Sequence, residues 1–262
     1  MSRFCSLYSS SKGNSTYLSG GSTAVLVDAG VSFLTLTAAL GSQGLSVEDL
    51  RGVLITHEHT DHVRGLKTLV SRTGIPVYAS PRTLEVLCRS GHIPPGATLV
   101  ECTGTAAVGD LVVTPFPTPH DACEPVGYHF LMPDQRTLAV ATDLGHITPQ
   151  IREMLTGCDL VMLESNYDKR MLECSRYPYY IKRRIKGQNG HLSNDDCSNE
   201  IVHLVEQGTT RLVLAHLSAE NNLPELAYET GRASLAAQQM QENYDYILKV
   251  APAHGPREVL VL

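Results

Sequence analysis

The chain has 262 residues, 42% hydrophobic and 18% charged, an ordinary composition for a soluble globular enzyme of one large domain or two small ones. No apolar run approaches the ~18 residues that a membrane span needs, so no membrane association is expected. The net charge of −6 weighs against nucleic acid as a partner, although its distribution argues the other way. The opening Met1-Ser2-Arg3-Phe4-Cys5 lacks the apolar core of a signal peptide, which predicts a cytoplasmic protein. Seven cysteines, an odd number with no CxxC, fit that compartment better than a disulfide framework or a zinc knuckle.

In chain order, short runs rich in Val, Leu, Ile and Thr predict strands at Ala24–Asp28, Gly52–Thr56, Pro76–Ala79, Leu111–Phe116, Gly127–Met132, Thr137–Thr142, Leu160–Glu164, Arg211–Ala215 and Glu258–Leu262. Helical patterns lie between them, at Phe33–Gly41, Asp61–Thr73, Pro81–Arg89, Pro149–Thr156, Asp195–Gln207 and Pro224–Asn243. Two sheets packed together with helices outside suit this mixed order. There is no linker, repeat or low-complexity stretch, so residues 1–262 are expected to form one domain.

His57-Glu58-His59-Thr60-Asp61-His62 follows the apolar run Val53-Leu54-Ile55-Thr56 and opens a helix. Three imidazoles and a carboxylate in six residues are poor packing material. Buried, each needs a hydrogen-bond partner, and the imidazoles repel one another when protonated. A metal ion removes both problems by binding neutral imidazoles and the carboxylate. Further candidate ligands stand where other predicted strands give way to loops: His120, Asp143 and His216. Cys123 and His146 lie close in sequence to these, whereas His92, His129, His203 and His254 read as structural.

The pattern His57-x-His59-x-Asp61-His62, then His120, Asp143 and His216, resembles the metallo-β-lactamase superfamily. The resemblance implies an α/β, four-layer αββα metallo-β-lactamase sandwich with a dinuclear site. His57, His59 and His120 would hold one ion, Asp61, His62 and His216 the second, and Asp143 would bridge both. Asp28 would orient a ligand, or would be a simple turn residue. Nearly the whole chain is similar to the YycJ/WalJ-like exonucleases. Leu7-Tyr8-Ser9-Ser10-Ser11-Lys12-Gly13-Asn14-Ser15-Thr16-Tyr17, Leu163-Glu164-Ser165-Asn166, Gly190-His191-Leu192-Ser193-Asn194 and Ala215-His216-Leu217-Ser218-Ala219-Glu220-Asn221-Asn222 carry the likeness. Relatives with a His in the position of His191 link it to protonation of the leaving group. Tyr167 departs from those relatives, and the 72 residues between Asp143 and His216 leave no room for the insertion of ribonuclease J enzymes.

These readings give a phosphodiesterase with two divalent ions, zinc or manganese, a bridging hydroxide as nucleophile, and Asp61, Asp143 and His191 as catalytic residues. Seven of the chain's 21 basic residues fall within Lys169–Lys186. This strip, with Lys182, Arg183, Arg184 and Lys186 and then Ser193 and Asn194, is the candidate substrate-binding segment, or else a solvated surface. Tyr177, Tyr179 and Tyr180 within it suit either base stacking or packing. The family likeness implies 5′-to-3′ digestion of DNA, with single strands the expected partner. The rival readings are a small-molecule hydrolase on the same fold (cyclic phosphodiesterase, thioesterase or lactonase) and a metal-binding scaffold without activity.

Overall fold

Fourteen strands and nine α-helices appear in the computed structural model, which describes residues 1–262. They run β1 (Arg3–Ser10), β2 (Gly13–Gly20), β3 (Thr23–Val27), α1 (Phe33–Ser42), β4 (Leu50–Leu54), α2 (Thr60–Val63), α3 (Leu66–Thr73), β5 (Val77–Ala79), α4 (Pro81–Arg89), β6 (Leu99–Glu101), β7 (Ala106–Val108), β8 (Leu111–Pro117) and β9 (Val126–Leu131). There follow β10 (Thr137–Ala141), α5 (Pro149–Leu155), β11 (Leu160–Glu164), α6 (Lys169–Cys174), α7 (Tyr179–Ile185), α8 (Asn194–Glu206), β12 (Arg211–Ala215), α9 (Pro224–Ala237), β13 (Ile247–Val250) and β14 (Leu260–Val261). The strands form two seven-stranded mixed sheets, and the architecture is the α/β sandwich expected from the sequence. No helix is long and apolar enough to cross a membrane, and all seven cysteines are free thiols.

The chain divides into two compact units. The first comprises Met1–Pro115, Ala122–Arg136 and Pro252–Leu262. Its sheet has the order β14-β1-β2-β3-β4-β5-β6, antiparallel from β14 to β3 and parallel from β3 to β6. Leu26, Leu36, Leu40, Val53, Ile55, Leu66 and Leu69 pack in its core. The second unit comprises Phe116–Asp121 and Thr137–Ala251. Strands β10, β11, β12 and β13 lie side by side in it and are all parallel. Every residue of β11 is buried, as befits a parallel strand covered on both faces.

Several expected elements differ from those observed. The β1–β2 hairpin was not expected, because its strands are rich in Ser and Thr and carry little hydrophobic signal. Its small hydroxyl side chains are nevertheless buried, with Ser6 opposite Thr16 and Ser9 opposite Asn14. The helix expected over Asp61–Thr73 is interrupted between α2 and α3. There the Gly65 N–H donates to the Ala29 carbonyl at 2.8 Å, and a Cβ on Gly65 would lie 1.9 Å from the Val31 carbonyl oxygen. The helix expected to reach Asn243 stops at Ala237, since Gln239 and Asn243 adopt left-handed conformations. The basic strip, for which no regular structure was expected, contains α6 and α7.

Gly30 shows how tightly the first unit is drawn around the histidine cluster. A Cβ there would sit 1.7 Å from the Asp61 carbonyl oxygen and 2.5 Å from the Asn14 nitrogen. Gly30→Ala is therefore expected to destabilise the protein by at least about 3 kcal/mol, through a backbone clash that no rotamer relieves. Gly41→Ala, in the exposed last turn of α1 with nothing within 4 Å, should instead stabilise by about 0.5 kcal/mol. Urea unfolding of the two variants against the parent checks both signs.

Candidate metal centre

In the first unit, β3 ends at Val27 and Asp28 turns the chain with φ 64°. That turn aims the Asp28 carboxylate at the residues after β4. It accepts the Thr56 N–H at 2.9 Å, the Thr56 hydroxyl at 2.9 Å and the His62 Nδ1–H at 2.8 Å. The Ala29 N–H donates to the His62 carbonyl at 2.8 Å, so backbone and side chain brace the same loop. Thr56 spends its one proton on Asp28, which leaves its oxygen to accept from His57 Nδ1 at 3.0 Å. The rings of His57 and His59 lie 4.6 Å apart, and those of His57 and His62 4.1 Å. Asp61 Oδ2 is 3.5 Å from His62 Nε2. Four of the predicted ligands thus come together.

Asn14, at the start of β2, reaches the same cluster. Its Nδ2 lies 3.3 Å from Asp61 Oδ2 and 3.1 Å from His62 Nε2. The Ser/Gly/Asn motif at the N-terminus therefore buttresses the histidine loop, a role the sequence did not disclose. Cys123 contributes its backbone rather than its thiol: its N–H donates to Glu58 Oε1 at 2.9 Å. Burial, followed by the neighbouring Glu58, raises the thiol pKa.

In the second unit, Asp143 follows β10 and His216 follows β12, with left-handed φ of 57° and 54°. Between those strands, β11 ends in Glu164, which is 0% exposed. Glu164 Oε1 accepts from His191 Nδ1 and His216 Nδ1, both at 2.8 Å. Its Oε2 accepts the backbone N–H groups of Leu144 at 2.9 Å and Leu192 at 3.1 Å. Asp143, Glu164, His191 and His216 offer ligand atoms within 4.8 Å of one another. His120 donates through Nδ1 to the Gly190 carbonyl at 3.0 Å, and its Nε2 lies 3.7 Å from Asp143 Oδ1.

Charge follows from this placement. Burial lowers the His120 pKa, against the pull of Asp143. Burial acts the same way on His191, but the Glu164 and Asp143 carboxylates outweigh it and raise its pKa. Glu164 is held below the usual carboxylate range: burial opposes its ionisation, and the His191 charge with the two imidazole hydrogen bonds prevails.

The remaining predicted residues are less exposed to substrate than their types suggested. Ser193 is fully buried, capping α8 by accepting the Asp196 N–H at 3.2 Å. Asn194 is buried and bonded to Ser165 and Asn222 at 2.7 and 2.9 Å. Asn166 donates to the His216 carbonyl at 2.7 Å. These amides, with Asn222, form an internal network behind His216. Tyr167 is buried too, its phenol pushed up to about 12 by burial. Arg184 pairs with Asp121 at 2.5 Å, Lys186 pairs with Glu173, Lys182 donates to the Glu173 carbonyl at 2.5 Å, and Arg183 is exposed. His146 donates through Nδ1 to the Gln188 carbonyl at 3.1 Å. The signal missed in the sequence was Glu164, a carboxylate closing the otherwise apolar Leu160-Val161-Met162-Leu163.

This donor set suits a divalent cation. His57, His62, His120 and His216 all turn Nδ1 toward an oxygen, so the proton of each neutral ring belongs there and Nε2 keeps its lone pair. Carboxylates interleave with them. Each unit thus carries buried imidazoles and carboxylates of the kind that hold a divalent cation in a metal-dependent hydrolase.

Residues 23–217 match the model of the "Beta-lactamase superfamily domain". The chain is 37% identical to the exodeoxyribonuclease YycJ of Bacillus anthracis, over 86% of this chain and 85% of the relative. It is 32% identical to the exodeoxyribonuclease WalJ of Streptococcus pneumoniae, over 93% and 92%. Among solved structures it resembles the metallo-β-lactamase fold protein YhfI from Bacillus subtilis, with TM-score 0.73, 14% identity, and 98% and 100% coverage. It also resembles Zn(2+)-bound PqqB from Methylobacterium extorquens, with TM-score 0.72, 17% identity and full coverage of both chains. The chain belongs to the β-lactamase superfamily and is a hydrolase of the metallo-β-lactamase fold.

If Asp28 and Glu164 fix the imidazole tautomers, Asp28→Asn and Glu164→Gln should each weaken divalent-metal binding about 10- to 100-fold. Calorimetric titration of the stripped protein with zinc and manganese measures this. Circular dichroism should report the same fold in both variants.

Proposed function

We propose that the chain is a cytoplasmic, metal-dependent exodeoxyribonuclease that digests single-stranded DNA from the 5′ end. The observation that carries this reading is the grip of one buried carboxylate, Glu164, on both His191 and His216. It couples a ligand-type imidazole to a second imidazole whose side chain is 21% exposed. Similarity to YycJ and WalJ, exodeoxyribonucleases by name, supports the substrate class.

In this proposal His57, His59 and His120 would hold one divalent ion and Asp61, His62 and His216 a second, with Asp143 as a shared candidate ligand. The imidazoles suit zinc, and a site that also contains carboxylates accepts manganese. When bound, the two ions supply Lewis-acid activation of water near neutral pH and offset charge on the phosphodiester. The protein's own groups do the rest. Asp28 and Glu164 keep His62 and His216 turned with Nε2 outward. Asp61 and Asp143 contribute negative charge at the ligand positions. His191, its Nδ1 engaged by Glu164, delivers a proton from Nε2 to the leaving oxygen, a general-acid contribution of ~10²–10⁴-fold. Ser193 and Asn194 act on substrate indirectly, by anchoring the chain that carries His191.

The test uses metal-stripped protein resupplied with manganese or zinc and given single-stranded DNA or RNA. A label on the 5′ end should be released at once as a mononucleotide, whereas 3′-labelled DNA should give a shrinking ladder. Asp143→Ala should abolish cleavage, and His191→Ala should slow it by ~10²–10⁴-fold. Turnover of a small phosphodiester or thioester with neither oligonucleotide cut would assign the chain to small-molecule hydrolysis instead.

A further inference from the structure

Helix α7 buries none of its side chains. A seven-residue helix whose apolar residues, Ile181 and Ile185, are only half-buried gains little from its own propensity and is held from outside. The holding groups are identifiable. Lys182 Nζ donates to the Glu173 carbonyl, Lys186 pairs with Glu173, and Arg184 pairs with Asp121 beside His120. At its C-terminal end, the Ile185 carbonyl accepts the His191 N–H at 2.9 Å. The close passage of Gly190 under the Ile185 carbonyl, where a Cβ would sit at 2.2 Å, fastens the same join.

Those anchors divide the side chains of α7 and Lys186 in two. Lys182, Arg184 and Lys186 are occupied in fixing the helix. Tyr179, Tyr180 and Arg183 remain, at i, i+1 and i+4, so that Arg183 lies one turn on from both Tyr179 (four residues before it) and Tyr180 (three before it). Tyr179 is 79% exposed, Tyr180 69%, and Arg183 is exposed as well. Tyr177, by contrast, is half-buried. Adjacent aromatics this exposed bury too little to be accounted for by stability. Two ring faces and a guanidinium are the chemistry that grips unpaired bases and their phosphates. A duplex keeps its base faces covered by stacking and offers these rings nothing comparable.

We propose that Tyr179, Tyr180 and Arg183 form a stacking platform for the unpaired bases of a single-stranded nucleic acid, fixed through Ile185 to the segment that carries His191. The platform rests on the nuclease reading above and assigns its strand selectivity to α7.

The decisive variant is the double substitution Tyr179→Ala/Tyr180→Ala, which changes only exposed side chains. Steady-state kinetics of the metal-loaded enzyme should show KM for single-stranded DNA raised about 10- to 100-fold, since stacking contributes appreciably per base. The kcat should hold, and hydrolysis of bis(p-nitrophenyl) phosphate should be unchanged. Tyr179→Phe/Tyr180→Phe should restore the parental KM, and stacking quench of a 2-aminopurine-labelled, phosphorothioate-linked strand should vanish only in the alanine variant. An unchanged KM and quench in that variant, with the parent cutting DNA normally, overturns the platform and leaves the nuclease reading intact. An equal rise in KM on blunt duplex overturns the strand selectivity. A parent that neither binds nor cuts single strands overturns both.

Discussion

An imidazole can bind a cation through one nitrogen only if its proton is held at the other, and the rest of this protein is arranged around that constraint. Two buried carboxylates satisfy it. Asp28 takes the Nδ1–H of His62, and Glu164 takes those of His191 and His216 together. Neither carboxylate is left with idle capacity. Glu164 receives four donors, two on each oxygen, and so remains charged although wholly buried. Removing the charge from either would do more than loosen one ring. It would release the proton to move between nitrogens and strand the remaining donors.

The second constraint is directional. Asp28, Asp143 and His216 each stand just after a strand, and each adopts a left-handed backbone. A strand continued in extended form would keep alternating its side chains between the two faces of the sheet. One left-handed residue breaks the alternation and redirects the side chain at the strand's end. Asp and His tolerate that conformation better than most residues, though not without strain. The strain is maintained by what surrounds it: the Leu54 carbonyl on the Asp28 N–H, and the buried Asn166 amide on the His216 carbonyl. Backbone geometry at these three positions and donor chemistry are thus the same feature.

How much of this was legible in the sequence depends on which force does the work. Strands β3, β4, β10, β11 and β12 are driven by apolar burial, and periodicity and composition disclosed them. The His57–His62 cluster was visible because so much ligand chemistry in six residues has no packing explanation. The β1–β2 hairpin was hidden: its buried positions are serines, threonines and Asn14, whose burial depends on cross-strand pairing rather than on hydrophobicity. Glu164 was hidden for the opposite reason, since an acid at the end of an apolar strand reads as the point where the strand meets water. Only the partners, 27 and 52 residues away in the chain, reveal that it is the most enclosed charge in its unit. The break between α2 and α3 was equally invisible, because the clash that makes it involves Val31.

The basic strip shows why counting charges along a sequence mistakes number for availability. Exposed ion pairs contribute little to stability, so the pairs of Arg184 and Lys186 are better understood by what they position. Asp121 lies against His120 Nε2 at 3.4 Å while its other oxygen meets Arg184. One carboxylate therefore connects a ligand-type histidine to α7, and Ile185 connects α7 to His191. The groups that engage Lys182, Arg184 and Lys186 hold α7 so that its Tyr179, Tyr180 and Arg183 face solvent.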